Sequence, residues 1–483
     1  GNTACGPAMT KAAVLKFGKI KWGLWALAFL LATGLSWLIP PMQSPDETSH
    51  LARAYLLAQG HWLLQPAPSG VKPPIDVEVG TFVRRLGGQA DAGGLVDASL
   101  LRFMASNLKL VLDAKLRLPA AEQEHLAALR WSDSRIHFSI PRTGYYFPLV
   151  YAPQAVGLAV GMALDWSVEH SYRLARSVTL LVCLVLLAMA CLLTPASPLA
   201  LATLLLPMSL FQLLSPTLDG FTTSLGLLTI SLFLHQTAAS GSNSWRSSIL
   251  LSVCVFILVS SRTHLLPLLL LLFFVAWRKR SARDFYLASL VTVTALTWVL
   301  FALHSTTDTL IVRNQSSSQL LVHYAGHPQA FFNIVWATVS NPDVASFYQQ
   351  SFIGILGWLD TALPSISYPW LWAGLGACAL VSVSLPSGTN DWSTRGLLLV
   401  VAIASLGLIF LSQLVTWTAH PATLIEGVQG RYFVMPMVLL GYVLSGLAHA
   451  RTRFQSRLAA LALSGFALCS LTTLSFTLLS RYH

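Results

Sequence analysis

The stretch Pro40-Pro41-Met42-Gln43-Ser44-Pro45-Asp46-Glu47-Thr48-Ser49-His50 separates a first hydrophobic run from the one long polar region of the chain. Its three prolines end the preceding helix, because proline lacks a backbone N–H and restricts the residue before it. A new helical pattern follows, with Asp46 at its N-cap position and Glu47 in its first turn. Two adjacent carboxylates therefore lie just beyond a hydrophobic span, with His50 and Arg53 one turn away.

The composition is that of an integral membrane protein. Of 483 residues, 54% are hydrophobic and 10% are charged, and the mean hydropathy is +0.63. Soluble proteins carry about 25% charged residues. Many apolar runs reach about 17–22 residues, the length that crosses a bilayer as a helix. The net charge of +11 needs no nucleic-acid partner, because cytoplasmic loops of membrane proteins collect Lys and Arg.

Five of the six cysteines lie inside apolar runs, and only Cys5 lies outside them. Buried cysteines of this kind behave as small hydrophobic side chains, so we expect neither disulfides nor a thiolate metal site. Residues 1–8, which precede Met9, are expected to be a cloning-derived addition, and 9–483 are expected to form a single membrane domain.

Basic clusters predict the topology, because Lys and Arg concentrate on the cytoplasmic side. Four lysines precede the first run, which places the 40–50 stretch outside. The clusters Arg278–Arg283 and Arg451–Arg457 both fall inside only if the apolar run 148–164 does not cross. We therefore predict an all-α polytopic protein of about eleven transmembrane helices, an interfacial or re-entrant helix at 148–164, and a large, mostly helical external loop over 40–176.

The polar residues that remain collect on the predicted external face. Asp46 and Glu47 are the strongest catalytic candidates, since a carboxylate can take a proton from an attacking hydroxyl. The alternative for this pair is a solvated capping turn. Asp219 has two interpretations as well: a second carboxylate of the site, or an N-cap for the span that starts at Gly220.

Candidate anion-binding residues lie at the ends of the external spans. Arginine suits phosphate oxygens, and snorkelling anchors are the alternative for each residue of this group, which comprises Arg173, Arg176, Arg262 and His264. In the segment 426–433 two glycines allow a close backbone approach, and Gln429 and Arg431 offer donors to a phosphate or sugar. The histidines of the external loops lack a ligand-like spacing, so no zinc site is predicted.

Four motifs together resemble a known family. They are the proline-rich turn with Asp-Glu, a helix of the form Glu-x-x-His-x-x-Arg-Ala, the Tyr-Tyr-x-Pro-x-x-Tyr element at 145–151, and Gly-Val-Gln-Gly-Arg-Tyr-Phe at 427–433. The set resembles the bacterial membrane proteins grouped as domain of unknown function 2142. More distantly, it is similar to the GT-C superfamily of polyprenyl-phosphate-dependent glycosyltransferases.

The resemblance implies a GT-C-like bundle and an inverting glycosyltransferase in the bacterial cytoplasmic membrane, with its active site on the external face. The donor would be a sugar on a polyprenyl phosphate, and the acceptor a glycan or a lipid-linked glycan. Asp46 best matches the catalytic carboxylate, with Glu47 as the alternative. A second external loop contains only one aspartate, which leaves a requirement for Mg²⁺ or Mn²⁺ open. The expected substrate-binding residues are His50, Arg53, Tyr146, Arg173, Arg176, Asp219, Arg262, His264, Gln429 and Arg431.

Two other functions fit the same pattern. One is a glycan polymerase or ligase that uses a lipid-diphosphate donor, for which the same residues would serve. The other is a transporter or flippase of lipid-linked sugars. The spans are nearly free of charge, whereas a transport pathway places ionisable groups near mid-membrane, which argues against transport.

Overall fold

The computed structural model describes residues 11–66, 82, 92–113, 115–238, 244–306, 315–386, 388–446 and 453–483. These residues are mostly helical. In chain order the helices are α1 (Lys11–Trp37), α2 (Glu47–Ala58), α3 (Ala98–Leu112), α4 (Ala120–Ala128), α5 (Ala152–Ala163), α6 (Val168–Leu193), α7 (Pro198–Leu204), α8 (Pro207–Leu214), α9 (Leu218–Thr237), α10 (Trp245–Ser261), α11 (Leu269–Lys279), α12 (Ala282–Ser305), α13 (Ser317–Gly326), α14 (Pro328–Ser340), α15 (Pro342–Gly354), α16 (Ser367–Ser382), α17 (Thr389–Thr416), α18 (Val434–Ser445) and α19 (Arg453–Tyr482).

Short 3-10 helices and two small sheets complete the described structure. The 3-10 helices are Pro141–Tyr145, Pro148–Tyr151, Thr263–Leu268 and Gly430–Phe433. Strand β1 (Gly93–Asp97) pairs antiparallel with β2 (Arg135–Ser139), and β3 (Ile355–Leu356) pairs antiparallel with β4 (Thr361–Ala362).

Among the described residues, five helices are long and apolar enough to cross a membrane: α6, α9, α12, α17 and most of α19. Shorter apolar helices cover Trp25–Trp37, Pro148–Ala163, Trp245–Ser261 and Gly430–Ser445. Prolines account for several interruptions, because they begin α7 and α8 and lie within the 3-10 turn before α11. The described chain is thus a helical membrane protein with several apolar spans.

Helix α9 lies at the centre of the bundle. In the most apolar 18-residue stretch of α9, 83% of the residues are buried. The corresponding stretches of the other four long helices are 28–44% buried. Small residues make this possible, since they let neighbouring helices approach closely. A Cβ on Gly226 would lie 2.4 Å from Cε of Met435 on α18, and one on Gly220 would lie 2.9 Å from the carbonyl oxygen of Gln212 on α8.

Helix α5 falls in the run predicted to be interfacial. Its 12 residues span about 18 Å at 1.5 Å per residue, less than the roughly 30 Å of a bilayer core. It packs antiparallel to the start of α6, where a Cβ on Gly157 would lie 2.4 Å from Cα of Ala175 and one on Gly161 would lie 2.8 Å from Cα of Ser171. Helices α11 and α18, which the predicted topology counts as crossings, are as short, with 11 and 12 residues. Length therefore does not separate α5 from them, and the membrane position of α5 stays a prediction.

The external region is less helical than predicted. The loop predicted to be mostly helical includes a strand, because residues 93–97 form β1 immediately before α3. Asp97 ends the strand and caps the helix, its side chain accepting hydrogen bonds from the backbone N–H groups of Ser99 (2.8 Å) and Ser132 (2.9 Å). The pairing of β1 with β2 requires glycine at the first position of β1, since a Cβ on Gly93 would lie 2.0 Å from the carbonyl oxygen of Phe138 on β2. The predicted glycine patch at 87–88 lies outside the described residues.

Polar contacts separate into two groups that agree with the predicted sides of the membrane. Asp46 and Asp219, both predicted external, share the side chain of Arg431. At the opposite helix ends, Lys279 lies 3.8 Å from Asp284, and Arg395 donates to the carbonyl oxygen of Leu444 (3.0 Å). Each group contains only segments that the basic clusters assign to one side.

The contact between α5 and α6 predicts a clear difference between two glycine substitutions. Gly157→Ala should lower the thermal unfolding temperature in detergent, because overpacking against a backbone costs about 1–3 kcal/mol. Gly407→Ala on α17, where a Cβ meets nothing within 4 Å, should leave that temperature unchanged or raise it, because alanine favours a helix by about 0.5–1 kcal/mol. Equal effects of the two variants would contradict the close packing of α5.

Candidate functional site

The turn at 41–45 is buried and is fixed by contacts from distant parts of the chain. The Gln43 side-chain amide donates to two main-chain carbonyls at 3.0 and 3.1 Å, and the Trp358 indole donates to the carbonyl of Met42 at 2.9 Å. Met42 (φ 65°) and Asp46 (φ 59°) adopt the left-handed region, which residues other than glycine rarely occupy. Such strained positions persist only where the surroundings hold them, so the backbone of Asp46 is firmly placed.

Asp46 and Glu47 are adjacent in sequence but face different surroundings. The Asp46 side chain is 49% exposed and makes no capping hydrogen bond to α2. Glu47 is fully buried and accepts hydrogen bonds from the Ser44 backbone N–H (2.9 Å) and the Tyr172 hydroxyl (2.5 Å). The guanidinium of Arg176 lies 3.9 Å from Glu47. Asp46 is therefore the carboxylate that is open to solvent, and Glu47 holds α2 against α6.

Four charged residues form the carboxylate–arginine cluster: Asp46, Asp219, Arg262 and Arg431. Arg431 lies 3.4 Å from Asp46 through Nη2 and 3.5 Å from Asp219 through Nη1. Arg262 donates to the other oxygen of Asp219. The N-cap of α9 is Thr217, so Asp219 does not cap the helix and belongs to the cluster instead.

Two glycines bring Arg431 into place. Gly427 has a φ of 77°, and a Cβ there would lie 2.3 Å from the Trp417 ring. A Cβ on Gly430 would lie 2.0 Å from the backbone nitrogen of Phe352 on α15. The close backbone approach predicted for this segment is confirmed, and it fixes the 3-10 turn that carries Arg431.

Aromatic and histidine side chains form one wall beside the cluster. The Arg262 guanidinium lies 5.3 Å from the centre of the Tyr146 ring, which lies 6.0 Å from the His50 ring. His50 Nδ1 is 3.0 Å from the Tyr151 hydroxyl. Burial lowers the pKa of His50 from 6.5 to about 3 and raises that of Tyr151 well above its usual value. His50 is thus neutral at physiological pH, and its role is to support the wall.

A cleft opens beside Arg262 and encloses about 820 Å³, including its open mouth. Its polar end carries Arg262, His264 and Tyr146. Ser261 and Tyr145 also line it, and their buried hydroxyls have no hydrogen-bond partner among the described residues. The rest of the cleft is largely apolar: α12, α13 and α17 contribute Val299, Leu303, Leu321, Leu408, Leu411 and Val415, and α17 also contributes the polar residues Ser412, Gln413 and Thr416.

Three arginine candidates have other partners and do not enter the cluster. Arg53 donates to the carbonyl oxygens of residues 61 and 62. Arg176 donates to those of residues 36 and 39, where the carbonyls at the end of α1 lack helical partners. Arg173 pairs with Glu169 at 2.6 Å and stacks on Trp37 at 3.9 Å, beside a different cleft. The structure therefore brings together Asp46, Asp219, Arg262 and Arg431, with Tyr146, His264 and His50 beside them.

Gln429 immediately precedes the 3-10 turn Gly430–Phe433, which carries Arg431. Its side-chain carbonyl oxygen is buried and has no hydrogen-bond partner among the described residues. Nε and Nη1 of Arg431 likewise have none. These atoms give the site additional hydrogen-bonding capacity toward a polar ligand.

Sequence reasoning missed Trp358, Tyr172 and the two hydroxyls of the cleft. Trp358 lies in the turn between β3 and β4 and is 316 residues from its partner Met42. A glycine followed by a tryptophan within a polar external loop could have indicated a tight turn with a buried side chain. No sequence signal points from it to the proline-rich turn.

Whether the site could hold Mg²⁺ or Mn²⁺ depends on the oxygen donors that it offers. Such ions take oxygen ligands and usually need carboxylates free of other cations. Within the described ranges no three His, Cys, Asp or Glu residues group together, and both carboxylates of the cluster lie against arginines. The described residues do not fit a metal site.

Comparison with protein-family models places this arrangement in a known group. The model described as "Predicted membrane protein (DUF2142)" matches residues 29–441. The chain belongs to the DUF2142 family. The DUF2142 match includes all four residues of the carboxylate–arginine cluster and ends within α18. No curated protein and no solved structure matches the chain.

The contrast between the two carboxylates predicts that substitutions at Glu47 and Asp46 affect stability to different extents. Glu47→Gln should lower the unfolding temperature in detergent, because a buried charged hydrogen-bond network loses about 1.5–3 kcal/mol. Asp46→Asn should change it little, since asparagine tolerates the left-handed region and the side chain is half exposed. An Asp46→Asn variant destabilised as strongly as Glu47→Gln would show that Asp46 is a structural residue.

Proposed function

We propose that the protein is an inverting glycosyltransferase that moves a sugar from a polyprenyl-phosphate donor to a glycan or lipid-linked acceptor. The proposal includes a GT-C-like bundle of eleven crossings with the cluster at the outer face of the bacterial cytoplasmic membrane. One observation carries it: the half-exposed Asp46 contacts the buried Arg431, and Asp219 connects Arg431 to Arg262, which lines a largely apolar cleft. This pairing of a base with anion-binding groups and a lipid-sized groove suits transfer from a lipid phosphate.

In the proposed reaction Asp46 accepts the proton of an acceptor hydroxyl. The hydroxyl oxygen attacks the anomeric carbon of the donor sugar and forms the new glycosidic bond. The bond between that carbon and the phosphate oxygen breaks, and its electron pair stays on the phosphate. Attack opposite the leaving group inverts the anomeric configuration. A positioned base of this kind contributes about 10²–10⁴ in rate.

The arginines take the charge that develops on the leaving phosphate. Arg262 and Arg431 are largely buried, where fixed donors stabilise developing charge more strongly than water does. Nε of Arg431, which has no hydrogen-bond partner among the described residues, offers a donor to a bound phosphate. Asp219 lies between the two guanidinium groups and offsets the repulsion of two buried cations.

The cleft gives the lipid portion of the donor a place. Its apolar walls belong to α12, α13 and α17, two of which are candidate membrane spans. Arg262 and His264 lie at its polar end, so a phosphate there would extend its chain along the apolar side chains. Among the described residues this arrangement favours a lipid phosphate over a soluble sugar nucleotide, because a soluble donor has no apolar chain to bury.

The contacts at helix ends support the eleven-crossing topology. With 148–164 outside the bilayer, the segments bearing Asp46, Asp219, Arg262 and Arg431 all end on the external side. These are the segments that contact one another. If that run crossed and nothing else changed, the helix ends after α1 and before α9 would lie on opposite sides, although Arg431 contacts both.

The decisive assay measures release of free polyprenyl phosphate by purified protein. Synthetic polyprenyl-phosphate hexoses and pentoses serve as donors, and lipid-linked glycans extracted from bacterial membranes serve as acceptors. Asp46→Asn should lower transfer by at least about 100-fold, since it removes the base but keeps the side-chain shape.

Asp343→Asn provides the matched control, because Asp343 is an exposed aspartate of α15 outside the cluster. It should keep wild-type activity. Full activity in Asp46→Asn, with transfer detected in the wild type, would remove the proposed base. No release by wild-type protein with any donor of the panel would overturn the proposed activity.

A further inference from the structure

Helix α14 carries an apolar stripe that the protein leaves uncovered. Phe332, Trp336 and Val339 are spaced four and three residues apart, so they share one helix face. Their exposed fractions are 61%, 72% and 38%. Within residues 328–340 there is no Asp, Glu, Lys or Arg.

The remaining faces of α14 show how the helix is oriented. On one side Phe331, Ile334 and Val335 pack against a small core at the outer end of α17. Thr338 is fully buried there and accepts a hydrogen bond from the backbone N–H of Ile425 at 2.9 Å. The opposite arc is polar, where Gln329 donates to Asn333 at 2.9 Å. The exposed stripe lies between the buried face and the polar arc.

We propose that α14 lies in the outer membrane interface, with its exposed stripe buried among lipid chains and its polar arc facing water. A helix at a bilayer surface needs this arrangement of an apolar face beside a polar one. A short uncharged helix with aromatic side chains suits that depth, where tryptophan is enriched. The inference concerns the bilayer as the occupant and does not depend on the proposed activity.

Neighbouring elements place lipid next to this stripe. Helix α13 connects α14 to the candidate span α12, whose Leu300 is 60% exposed. Helix α15 connects it to the apolar helix α16, which begins beside Ile366 (71% exposed) and carries Trp370 (67% exposed). Exposed apolar side chains therefore occur on the apolar helices that precede and follow the α13–α15 segment in the chain.

This position has a consequence for the cleft. Leu321 of α13 lines the cleft opposite Val299 and Leu303 of α12. With α14 in the interface, the cleft wall formed by α12 and α13 lies at the level of the outer leaflet. A lipid chain would enter the cleft sideways from the bilayer.

Site-directed fluorescence measures the position of α14. Phe332→Cys and, on the polar arc, Asn333→Cys are prepared in a background in which Cys5, Cys191 and Cys469 are replaced by alanine. Each is labelled with an environment-sensitive fluorophore and placed in phosphatidylcholine nanodiscs. Doxyl groups on the lipid chains quench from the bilayer, and iodide quenches from water. Both substitutions are at exposed positions, so the helix packing is kept.

The label at 332 should lose most of its emission to doxyl lipid and little to iodide, and the label at 333 should show the reverse. Trp336→Cys repeats the first result at an independent position. Iodide quenching at 332 equal to that at 333 would place the stripe in water and overturn the inference. Protection of 332 from both quenchers would also overturn it, because a second copy or another protein would then cover the stripe.

Discussion

The bridge that Arg431 makes between Asp46 and Asp219 holds the outer end of the molecule together. Arg431 and Asp46 are 385 residues apart in the chain. Burying a guanidinium is unfavourable unless carboxylates and hydrogen bonds compensate it, and the largely buried Asp219 compensates Arg431 more strongly than the half-exposed Asp46 does. The proline-rich turn, the start of the central helix and the 427–433 segment must therefore come together before this charge can be buried.

The two neighbouring carboxylates show how surroundings divide roles between similar groups. Glu47 lies in a closed network with Ser44, Tyr172 and Arg176, and it has no open path to a substrate. Asp46 occupies a strained backbone conformation, makes no capping bond, and faces open space beside an arginine. Strain of this kind is commonly kept at functional positions. It supports Asp46 as the reacting group of the proposed transfer.

Local patterns predicted much of this arrangement. Proline and carboxylate spacing located the Asp46 turn, and glycine spacing indicated the close approach near Arg431. Basic clusters grouped the segments that meet at the cluster. The partners of individual arginines were beyond reach, because Arg173, Arg176 and Arg262 have equivalent positions at span ends. Only the packing shows that Arg176 binds the end of α1 and that Arg262 meets Asp219. The strand pairing of β1 and Trp358's contact with Met42 likewise depend on tertiary structure.

Binding of polyprenyl phosphate by matched arginine variants tests the central claim most directly. Arg262 lies in the cluster, whereas Arg173 occupies a comparable span end beside another cleft. The account predicts that Arg262→Gln weakens binding of the purified protein about ten- to a hundredfold, as expected for loss of one charged hydrogen bond of roughly 1.5–3 kcal/mol. Arg173→Gln should bind as the wild type does. Weakened binding in Arg173→Gln with unchanged binding in Arg262→Gln would place the lipid phosphate elsewhere and contradict the account.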